Sequence, residues 1–81
     1  MSYMTDIESI LAEVNRATEP VEAVRDMIFE RGGSWFIPET SSGIFEIQLA
    51  GLVGIGPSLS AAVDDWTVQA NETLRKQQLG M

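Results

Sequence analysis

Carboxylates are the only abundant groups in this sequence that could handle a proton or a metal. Twelve acids stand against five Lys and Arg, with no histidine and no cysteine. The missing histidine removes the commonest general base, the commonest metal ligand and the middle member of a hydrolytic triad. The missing cysteine removes disulfides, thiol chemistry and, with the histidine, zinc sites of the usual kind. Asp64 and Asp65 are neighbours, but on a helix they point about 100° apart. They cannot share a metal or a proton without outside partners, so a solvated helix face is their expected meaning. Gly51-x-x-Gly54-x-Gly56 precedes a helix pattern and invites a phosphate-loop reading. Its order differs from Gly-x-Gly-x-x-Gly, no lysine follows, and no cation is nearer in sequence than Arg75. The glycines read better as a bent strand and a turn. No catalytic residue, cofactor or metal site is expected, and the chain does not read as an enzyme.

What remains suits contact rather than catalysis. Glu46 and Gln48 alternate with Phe45, Ile47 and Leu49, which puts the two polar side chains on one face of a strand and the apolar three on the other. If the polar face is uncovered, Glu46 and Gln48 with Trp35 and Phe36 form a candidate partner surface, because exposed aromatics among polar groups favour interfaces. The competing expectation is that the N-terminal helices cover it.

The elements that must position these residues follow from pattern. Thr5 and Glu8 make a Thr-x-x-Glu capping box, and Ile7, Ile10, Leu11 and Val14 form the stripe of a first helix ending near Ala17. Pro20 restarts the chain at a first helical position. Val21, Val24, Met27 and Ile28 form a second stripe, which Gly32-Gly33 stops. Ser34 to Ile37 is aromatic and β-branched, Pro38 to Gly43 is a hairpin loop, and Leu52 to Ile55 is a short third strand. From about Ser58, the better N-cap, to Gln77, the residues Leu59, Ala62, Val63, Trp66, Ala70 and Leu74 fall on one helical stripe. The last residues, 77–81, are expected to fray. The predicted fold is α+β in one domain spanning 1–81. A helical pair over 1–31 precedes a ββ(β)α unit over 34–77, whose three-stranded antiparallel sheet carries the long C-terminal helix.

The run Gly43-Ile44-Phe45-Glu46-Ile47-Gln48-Leu49-Ala50-Gly51-Leu52-Val53-Gly54-Ile55-Gly56-Pro57-Ser58-Leu59-Ser60-Ala61-Ala62-Val63 resembles the HicB-type antitoxin pattern. That pattern has a hairpin strand, a glycine-containing third strand, a Gly-x-Ser/Thr step and a helix opening on Leu and small residues. The resemblance implies a three-stranded antiparallel sheet with a helix across it, binding to a small toxin protein, and often oligomerisation. Here Ser60-Ala61 stand where the family has an acidic pair, Pro57 stands where it has Asp or Glu, and its DNA-binding segment is not matched.

Charge bounds the partner. Net charge is −7, and residues 1–46 hold nine acids against three bases. Such a surface repels phosphate, so nucleic acid is not an expected partner. A helix-turn-helix reading of the first two helices fails likewise, since the second carries Glu22, Asp26 and Glu30 against Arg25 and Arg31. A basic protein partner is favoured by complementary fields. No signal-peptide pattern or membrane-length apolar run is seen, which makes the cytoplasm the expected compartment. The leading expectation is a small acidic protein-binding module like a HicB-type antitoxin core without the DNA-binding segment. The alternative is a self-associating structural protein, a homodimer through sheet edges.

Overall fold

The computed structural model describes the backbone at residues 3–40 and 43–79, and side chains at 6–40 and 43–77. Its order is α1 (Tyr3–Arg16), α2 (Pro20–Arg31), β1 (Ser34–Phe36), β2 (Phe45–Leu49), β3 (Leu52–Gly56) and α3 (Leu59–Leu79). The sheet is antiparallel in the order β1-β2-β3, and α3 packs on it, chiefly against β3. The α+β arrangement therefore stands.

Local chemistry accounts for most boundaries. Ser58 caps α3, its Oγ accepting the Ala61 N–H at 3.1 Å. Pro20 opens α2, and Gly32 ends it at φ 82°, with the Gly32 and Gly33 N–H groups both donating to Ile28 O. Two expectations are corrected. The first helix begins at Tyr3, so Thr5 lies inside its first turn rather than before it. The Thr5 side chain is outside the described residues, so the capping box itself is not seen. At the other end, α3 stays helical through Leu79 rather than fraying from Gln77. Ser41 and Ser42 of the expected hairpin loop are also outside the described residues.

The hairpin between β2 and β3 is tight. Leu49 pairs with Leu52, leaving Ala50 and Gly51 as a two-residue turn. Both have positive φ, 55° and 79°, as a turn matched to strand twist requires. The core gathers all three apolar helix stripes over one sheet face: Ile7, Ile10, Leu11 and Val14 of α1, Val24, Met27 and Ile28 of α2, Ile47 and Leu49 of β2, and Ala62, Val63, Trp66 and Ala70 of α3. Trp66 is wholly enclosed, and its Nε1–H donates to Leu49 O at 3.0 Å.

The glycines of β3 serve this packing. A methyl group on Gly54 would strike Ala62 O and stand 2.7 Å from Trp66 Cβ; one on Gly56 would stand 2.6 Å from Ala61 Cβ. Bare backbone lets α3 lie directly on the strand, with small residues meeting small residues. At the far end, Arg31 of α2 donates to Ser9 Oγ at 3.2 Å and lies 3.8 Å from Asp6, tying α2 to α1. The molecule is longer than it is wide, 43 × 23 × 22 Å.

Candidate partner surface

Register decides which side chains share a face. β1 pairs with β2 as Ser34↔Gln48, Trp35↔Ile47 and Phe36↔Glu46. β2 pairs with β3 as Glu46↔Ile55, Ile47↔Gly54 and Gln48↔Val53. Opposed residues project to the same side. One face therefore carries Trp35, Ile47 and Gly54 toward the helices. The other carries two rows across the strands, Phe36–Glu46–Ile55 and Ser34–Gln48–Val53.

That second face is uncovered. Phe36 is 59% exposed, Ile55 51% and Val53 44%, and Ile44, just before β2, is exposed as well. All three helices belong to the opposite layer, since α1 and α2 both pack on α3 and the buried α2 residues join Ile47 and Leu49 in one core. The N-terminal helices thus leave the polar face of β2 open. Glu46 is half-buried between Phe36 and Ile55. One of its oxygens, Oε2, accepts from Gln48 Nε2 at 3.2 Å. Among the described residues no cation forms a salt bridge with it; the pairs present are Arg16–Glu13 and Arg31–Asp6.

Of the four residues that sequence put in a partner surface, the fold brings together Phe36, Glu46 and Gln48. Trp35 is separated from them by the thickness of the sheet. It is half-buried against the core, with the Arg25 guanidinium 5.7 Å above its ring. Adjacent strand residues must diverge in this way. Val53, Ile55 and Ile44 complete the open face and were missed. Their signal was present in the alternation Val53-Gly54-Ile55, where glycine marks the inward side.

Asp65 also differs from expectation. It does not simply face water: its Oδ2 accepts the Ile55 N–H at 2.9 Å. β3 is an edge strand, so this carboxylate occupies a backbone donor that would otherwise be free for pairing. Asp64, next to it, is exposed. Among the described residues no three His, Cys, Asp or Glu side chains gather as metal ligands would, and no helix is long and apolar enough to cross a membrane. Beside β1, Arg25, Phe29, Gly33 and Trp35 line an open depression of about 460 Å³, with Phe29 82% exposed at its rim. No family model, curated protein or solved structure matches this chain.

Proposed function

We infer that this chain is a non-enzymatic protein-binding module, built like a HicB-type antitoxin core without the DNA-binding segment. The observation that carries the reading is the open sheet face, where Phe36, Val53 and Ile55 stand exposed around Glu46. Exposed apolar side chains clustered on one face, with polar groups among them, mark a contact surface more often than chance exposure does. The chain's lack of histidine and cysteine and its net charge of −7 favour binding over catalysis, and a basic protein over nucleic acid. The cytoplasm is the compartment this reading assumes.

Affinity capture from native lysate tests it, using the wild-type chain beside Phe36→Ser/Ile55→Ser. The expected result is one stoichiometric basic protein held by the wild type and released by the double variant. Reproducible absence of any such partner overturns the reading.

The second reading, a homodimer through sheet edges, draws on β1, which among the described residues has β2 on one side and no strand on the other. The opposite edge already has Asp65 bonded to it, so edge pairing would run through β1. Light scattering separates the two: a monomer at all concentrations removes the homodimer.

A further inference from the structure

We propose that the open sheet face takes one amphipathic helix of a partner protein, laid along β2 with an Arg or Lys at the centre of its apolar stripe set against Glu46. This rests on the protein-binding reading above and specifies the occupant.

Three features point to it. First, the dimensions fit. Phe36 and Ile55 flank Glu46 from the two outer strands, which at the usual strand spacing puts them about 10 Å apart. An α-helix with its side chains is about 10 Å across. A helix lying along β2 would rest between Phe36 and Ile55, with Glu46 beneath it and Val53 extending the apolar contact. The other sheet face already accepts a helix, α3, over β3 and β2.

Second, the charge is unanswered. Glu46 is half-buried between two large apolar side chains, with Gln48 as its bonded neighbour and, among the described residues, no cation on its face. Covering this face with a purely apolar partner would strip water from a lone carboxylate, which is costly. A cation placed there converts that cost into a charge-assisted hydrogen bond. The field of a −7 chain attracts the same kind of helix.

Third, the same chemistry argues against a second copy on this face. A two-fold contact centred on Glu46 would bring the two carboxylates together in a drying interface, with only Gln48 between them.

The test uses two synthetic helix-forming peptides of identical composition, each about 18 residues of Leu, Ala and Lys with one Arg. In one, the Arg sits in the middle of the leucine stripe; in the other it has exchanged places with an alanine of the polar face, so that no cation stands at the centre of the stripe. Each is titrated into isotopically labelled wild type, Glu46→Gln and Glu72→Gln at about 0.15 M salt, where exposed charges are largely screened. Amide shifts report both location and affinity. The expected result is binding centred on Phe36, Glu46 and Ile55, with the central-Arg peptide about tenfold tighter. That preference vanishes in Glu46→Gln and survives in Glu72→Gln. Equal binding of the two peptides to this face overturns the role of Glu46 while leaving a protein-binding face in place. Shifts confined to α1 and α2 overturn the site. Shifts at Phe36 and Ile55 that follow protein concentration without peptide show a second copy there, and also overturn it. Loss of the partner in the lysate capture, by contrast, strikes the protein-binding reading itself.

Discussion

Trp66 has two jobs, and two substitutions separate them. As the largest side chain fully enclosed in the core, it supplies packing. As a donor to Leu49 O, it satisfies a carbonyl at the end of β2. Trp66→Ala should cost about 3–5 kcal/mol, against a total of about 4–12 kcal/mol for a chain of this length. Trp66→Phe keeps most of the volume and removes one donor from Leu49 O, which should cost about 0.5–1.5 kcal/mol. Urea unfolding followed by circular dichroism gives both; a Phe variant as stable as wild type would remove the hydrogen bond from the account. Ala50 shows the reverse case, a residue worse than its site allows. It sits at φ 55° in a turn whose partner is Gly51, and Asn-Gly is the pair this turn prefers. Ala50→Asn should therefore raise stability by about 0.5–1 kcal/mol, seen as a higher urea midpoint at unchanged slope.

The joint between β3 and α3 depends on what is missing from the strand. Gly54 leaves room for Ala62 and Trp66, so Gly54→Ala should force the helix outward and cost about 1–3 kcal/mol. An equally stable Ala variant would mean that the strand can shift without loss. Asp65 ties the same joint from its other side. Asp65→Ala should lose about 0.5–1.5 kcal/mol and free an edge donor, so its light scattering should rise with concentration more steeply than the wild type's. Element identities were readable because period carried them: Phe45-Ile47-Leu49 alternate, and Leu59 to Leu74 recur at helical steps. The Ser58 cap was readable because it depends only on neighbours three residues away. The Asp65–Ile55 bond was not readable, since it joins residues ten apart through the docking of a helix on a strand. Nor could sequence choose between Trp35 and Phe36. Both suit a strand, and a register shift of one residue exchanges their faces.

At the scale of the whole molecule, the layers are unequal. Three helices shield one side of a three-stranded sheet, and the other side is bare. Because Phe36 and Ile55 face outward, Phe36→Ser/Ile55→Ser should alter stability by only about 0.5 kcal/mol per site while abolishing partner capture. Thermal unfolding checks the first half, and a large fall in midpoint would mean that these side chains serve the fold instead. The two tryptophans stand in different settings: Trp66 is sealed among the helices, and Trp35 is half-open beneath Arg25. The protein therefore carries two intrinsic fluorophores that answer different questions. A soluble quencher such as iodide would reach the indole of Trp35 long before that of Trp66. The quenched fraction would report on the β1 border, and the unquenched fraction would stay blue-shifted until the core opens.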